Sequence, residues 1–132
     1  MSESNNQTHT EYIFTTQDPL GRKVQLKSGT WNFHITGGDH HRTEFAGQEQ
    51  LIQDIIKDPS FIIDNSDEPN STRQKYIDLA KLPGASTLRS VVVIVDHSNE
   101  ECGDIVTVMG KKNLNQETGG VRYVRPKSTN NE

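Results

Sequence analysis

The sequence predicts an α+β domain in which a single antiparallel sheet carries one main helix packed on one face. Three observations lead there. Apolar residues alternate with polar ones through several short runs separated by turn residues, and one stretch has the period of an amphipathic helix. The order β-β-α-β-(β)-β-β then joins neighbouring strands mainly by hairpins. The chain has 132 residues, a length suited to one core, although only 30% are hydrophobic. "MSESNNQTHT" and "KSTNNE" carry almost no apolar side chains and cannot offset the entropy of being ordered. Residues 1–10 and 127–132 therefore read as disordered tails around a single domain over residues 11–126.

"EYIFTTQDPLGRKVQLK" reads as strand, turn, strand, with Asp18-Pro19-Leu20-Gly21 placing proline and glycine in turn positions. Lys27-Ser28-Gly29 gives a second turn signal. Trp31, Phe33 and Ile35 alternate with Asn32 and His34, the pattern of a half-buried strand, and on it His34 points away from the apolar face. Gly37-Gly38 ends that run. A helix is expected from about Thr43, with Phe45, Ile52, Ile55 and Ile56 on one face and Leu51 beside them. Thr43 would cap it, Glu44 would suit its positive end, and Pro59 would end it.

"SFIID" is a short strand and "NSDEPNST" an acidic, breaker-rich loop. "RQKYIDLAKL" fits a helix or a strand equally well. "LRSVVVIVDH" is the most β-branched stretch and the clearest strand; "SNEECG" turns, and "DIVTVMG" pairs back antiparallel. "GGVRYVRP" adds an edge strand closed by Pro126.

Composition narrows the function. With 14 basic and 18 acidic residues the net charge is −4, the wrong sign for holding nucleic acid by the overall field. Five cations, Lys111, Lys112, Arg122, Arg125 and Lys127, do gather near the C-terminal end, so a local cationic face is open to the fold. Cys102, the one cysteine, excludes an internal disulfide and fits a reducing compartment. Its acidic neighbours Glu100, Glu101 and Asp104 would raise its pKa. There is no basic start followed by an apolar core, and the longest apolar run, Val91 to Val95, is too short to span a bilayer. The expectation is a cytoplasmic protein without a membrane partner.

"WNFHITGGDHHRTEF" places His34, His40 and His41 within one junction, followed by Arg42. A metal site, an acid–base site and a histidine-rich solvated turn all compete for it. Metal fits poorly: Asp39, His40 and His41 are adjacent and their side chains diverge, Cys102 lacks a CxxC partner, and no HExxH is present. No metal and no cofactor is expected. A GxSxG elbow and a P-loop are also missing. Metal-free acid–base chemistry remains. RNA cleavage by its own 2′-hydroxyl needs a base, an acid for the leaving 5′-oxygen and cations for the developing charge. His34 or His41, with Arg42, Arg73 and Lys111, supplies those groups if the sheet gathers them. Arg122 joins Arg42 and Lys111 as a candidate phosphate contact.

In order, "WNFHI…HHRTEF", "LIQDIIKDPSFIIDN", "RQKYIDL", "LRSVVVIVD" and "GDIVTVMG" resemble the PBECR group, phage-associated members of the barnase–EndoU–colicin–RelE ribonuclease-toxin fold. The resemblance covers about Trp31 to Met109. It implies a BECR-like fold, turns "RQKYIDL" toward strand, and implies a site containing His34, His41, Arg73 and Thr107, with Tyr76 on the same central strand as Arg73. The loop lacks the group's His-Pro start to the helix, so His40 and His41 stand as equal candidates. The function implied is a small metal-independent endoribonuclease of toxin type, with RNA as substrate and an immunity or antitoxin protein as partner. The alternatives are a catalytically inactive binding or partner protein on the same fold, and a phage or mobile-element structural protein.

Overall fold

The computed structural model describes residues 11–37, 42–65, 71–112 and 119–126. Its centre is one seven-stranded sheet: β1 (Tyr12–Gln17), β2 (Lys23–Lys27), β3 (Phe61–Asp64), β4 (Arg73–Ala80), β5 (Arg89–Asp96), β6 (Gly103–Lys111) and β7 (Val121–Val124). The spatial order is β1-β2-β6-β5-β4-β3-β7. The α+β class holds, "RQKYIDLA" is a strand, and "VRYV" is an edge strand. The two expected tails, 1–10 and 127–132, lie outside the described residues.

Every neighbouring pair is antiparallel except β2 and β6, which run parallel through Val24↔Gly103 and Gln25↔Asp104. The purely antiparallel expectation is therefore corrected. A hairpin joins β1 to β2, but the chain leaves β2 into helical structure and returns to its side only as β6, after three further strands.

The larger correction concerns residues 28–35. In place of a turn and a strand, α1 (Ser28–Thr30) runs into a single π-helical turn over Trp31–Ile35. Its ring is closed by the Thr36 N–H on the Trp31 carbonyl at 2.9 Å, and the Thr36 hydroxyl donates to the same oxygen at 2.9 Å. Trp31 and Ile35 are buried at 4% and 0% exposure, whereas Phe33 is 69% exposed. Positions 31, 33 and 35 satisfy a period of two, but 31 and 35 alone are also one helical turn apart. The deciding residue is Phe33, and it is outside the core.

The expected helix is likewise shorter. Thr43–Phe45 forms an isolated 3-10 turn, and α2 spans Glu49–Lys57. Gly47, at φ 77°, separates them. Gln48 stands at the N-cap of α2, so Thr43 does not cap it, and Glu49 in place of Glu44 is the acid in its first turn. The apolar face was legible all the same: Phe45, Ile52, Ile55 and Ile56 are buried, and Leu51 packs beside them.

Both helical segments cover one face of the sheet. Trp31, Ile35, Phe45 and the isoleucines of α2 pack against Val24, Leu26, Ile62, Tyr76, Val91, Val93, Val95 and Val108. The other face carries a smaller cluster, Ile63, Ile77 and Val92, with Phe61, Ile94 and Met109 against it. The consecutive valines of β5 are buried on both sides, which explains why that strand reads as a continuous apolar run. No helix among the described residues is long and apolar enough to cross a membrane.

Candidate functional site

The π-turn turns Trp31 and Ile35 inward and leaves His34 exposed. His34 lines a polar cleft of about 310 Å³ with Lys27, Thr30, Asp96, Ser98, Asp104 and the start of β6. Asp96 ends β5 and Asp104 is the second residue of β6, and they are cross-strand partners beside the β5–β6 hairpin. Each acid is held. Asp96 accepts from the Thr72 hydroxyl at 2.8 Å and the Ser98 N–H at 2.8 Å, and pairs with Arg73 Nε at 3.6 Å. Burial would raise the Asp96 pKa, but the hydrogen bonds from Ser98 and Thr72 and the Arg73 charge outweigh it and hold the carboxyl below its ordinary value. Asp104 accepts from Gln25 Nε2 at 2.7 Å and lies 3.7 Å from Lys27 Nζ.

The other residues singled out in the sequence divide. Arg73 opposes Asp96 in the register and so reaches the cleft's rim through that ion pair. Thr107, opposite Ile94, lies on the same face as Arg73; it is 7% exposed, and its hydroxyl is buried without a hydrogen-bond partner. Tyr76 projects to the opposite, helix-covered face and is fully buried, so it is not beside Arg73 as a surface for substrate. Arg42 gives its backbone N–H to the Ile35 carbonyl at 2.6 Å, and its Nε is buried without a partner. Lys111 ends β6 opposite Ser90, and Arg122 on β7 is paired with Asp64 at 2.9 Å. His40 and His41 lie outside the described residues. Cys102 has its thiol pKa raised by burial and by Asp104, the direction read from its neighbours.

Sequence reasoning missed a second polar cluster, on the helix-covered face. Tyr76 donates its hydroxyl to Asp18 Oδ2 at 2.5 Å and accepts from Arg22 Nη2 at 3.1 Å. His97 Nε2 lies 2.9 Å from the same oxygen. The phenol has one proton and gives it to Asp18, so Nε2 must be the donor of that contact, which fixes the His97 tautomer. Arg22 also binds Asp18 Oδ2 through Nε at 3.0 Å and Gln74 Oε1 at 2.8 Å, while Asp18 Oδ1 accepts the backbone N–H groups of Leu20 and Arg22. Burial, then the Asp18 carboxylate, push the Tyr76 pKa up; burial, then the Arg22 charge, push that of His97 down, against Asp18 and Asp96. The local turn was legible, but Tyr76 is 58 positions from Asp18 in the chain, and strand order cannot be read from one turn.

Comparison of the chain with protein-family models, curated proteins and solved structures gave no match.

Proposed function

We propose that this chain is a small metal-independent endoribonuclease of toxin type, acting in the cytoplasm on RNA through the His34 cleft. One observation carries the reading: an exposed imidazole shares a polar cleft with Lys27 and with Asp96, which brings Arg73 to its rim. His34 takes the proton of a ribose 2′-hydroxyl, the 2′-oxygen forms a bond to the adjacent phosphorus, and the bond from phosphorus to the 5′-oxygen breaks. The imidazolium then returns a proton to that leaving oxygen, so one group serves both steps. Lys27 and Arg73 meet the charge that develops on the phosphoryl oxygens. Both cations are paired with acids in the resting cleft, Lys27 with Asp104 and Arg73 with Asp96, so RNA phosphate competes with those carboxylates for them.

The test is incubation of the purified chain with RNA in EDTA. The expected products carry 2′,3′-cyclic phosphate and 5′-hydroxyl ends, and His34→Ala should abolish them while the circular dichroism spectrum is unchanged. Cleavage that needs an added metal, or that survives His34→Ala, overturns the reading.

The near neutrality of the cleft favours a second reading, a catalytically silent binding protein on the same fold. It would bind a partner through Asp96 and Asp104, and an immunity or antitoxin protein covering this cleft would meet the same two acids. No cleavage under any condition, with protein binding lost in Asp104→Asn, would select it.

A further inference from the structure

Phe33 is the most exposed large apolar side chain among the described residues, at 69%. Its position follows from the π-turn: with Trp31 and Ile35 anchored in the core, the residue between them is directed outward beside His34. Phe33 and His34 line a second depression of about 510 Å³. Lys27, Thr30 and His34 line both this depression and the cleft that holds Asp96 and Asp104. An aromatic face and an acid–base group thus share one surface, with a cation common to both hollows.

We infer that Phe33 is a base-stacking platform for single-stranded RNA, seating one nucleobase so that its neighbouring phosphate reaches His34. This rests on the ribonuclease reading of the same cleft. The charge distribution favours stacking over steering. The net charge is −4, and Glu11 and the two aspartates line the same surface, so the protein's field cannot gather polyanions. Stacking needs no net charge, accepts any base because every base has a π-face, and requires a base that is not already paired. π-turns of this kind are frequent at functional sites, where they displace a side chain that a regular helix would leave elsewhere.

The experiment uses the full chain and a short fluorescein-labelled single-stranded RNA whose 2′-hydroxyls are all methylated, so that binding is read without cleavage. Fluorescence anisotropy should show binding weakened about 5- to 150-fold by Phe33→Ala, the fold-change that one stacked base corresponds to. Phe33→Leu should be weakened similarly, Phe33→Trp should bind as wild type, and the salt slope should be the same in all four. Because Phe33 is exposed, circular dichroism should show the variants folded. Equal binding by wild type and Phe33→Leu, or no binding by wild type, overturns the inference. So does Phe33-dependent self-association in sedimentation without RNA binding, which would assign the residue to a protein contact. Phe33-dependent binding to the methylated strand, with unmodified RNA left uncleaved, would uphold the platform and sink the ribonuclease reading alone.

Discussion

The Tyr76 hydroxyl is hydrogen-bonded to the Asp18 carboxylate at 2.5 Å, tying β4 to the β1–β2 turn across 58 positions of chain. Both side chains are buried, and the same phenol is contacted by Arg22 and His97. Replacing Tyr76 by Phe keeps the ring's packing and removes the oxygen that joins these groups. We expect Tyr76→Phe to cost about 1–3 kcal/mol and Asp18→Ala, which leaves Arg22 beside a buried phenol without its carboxylate, about 3 kcal/mol or more. Urea unfolding of both variants checks it; a Tyr76→Phe midpoint equal to wild type would show that the network contributes nothing.

His97 makes stability depend on pH. Its folded pKa is below 6.5 because burial, then Arg22, disfavour the imidazolium, while Asp18 and Asp96 oppose the shift. Above about pH 6.5 neither state binds the proton and the group is silent. As pH falls from there to the folded value, the unfolded chain takes up a proton that the native chain does not, so stability declines, and below the folded value the decline from this group ends. The unfolding midpoint should drop between pH 7.5 and 5.5 in wild type, and the drop should shrink in His97→Gln.

Thr107 is set apart from the His34 cleft by burial. Its hydroxyl has no partner, so exchanging it for a methyl of similar shape relieves a desolvation cost. Thr107→Val should be neutral or stabilising by about 1 kcal/mol and should keep RNA cleavage. Thermal unfolding and a cleavage assay together decide this; loss of cleavage in a stable variant would return Thr107 to the site.

Arg73 separates turnover from affinity. If it meets charge that develops in the transition state, Arg73→Ala should lower kcat by about 100-fold or more with little change in KM. Lys111→Ala, distant from Asp96 along β6, should instead weaken binding and flatten its salt dependence as a simple phosphate contact does. Cleavage of a short RNA at two salt concentrations distinguishes the two patterns.

Edge strand β7 depends on a glycine. At φ 145° Gly119 lies so close to β3 that a Cβ would sit 2.1 Å from the Asp64 carbonyl oxygen. Gly119→Ala should destabilise by more than about 1 kcal/mol, measured as a lower Tm, because neither the backbone angle nor the space admits a methyl group.

Several parts of this molecule follow from local sequence. The run "SVVVIV" has to be a strand buried on two faces, Ile52, Ile55 and Ile56 have to share a helix face, and Asp18-Pro19-Leu20-Gly21 has to turn, because each rests on side-chain chemistry within a few residues. The α+β class follows from their order. Tertiary structure decided what local pattern left degenerate. Trp31 and Ile35 satisfy strand and helix alike until a core selects them and rejects Phe33. "RQKYIDLA" becomes a strand because β3 and β5 flank it. The carboxylates around His34 and the partners of Tyr76 come together only through strand order, since β2 reaches β6 across three intervening strands. Spacing along a chain encodes which face a residue occupies; which distant residue it meets there is set by the folded sheet.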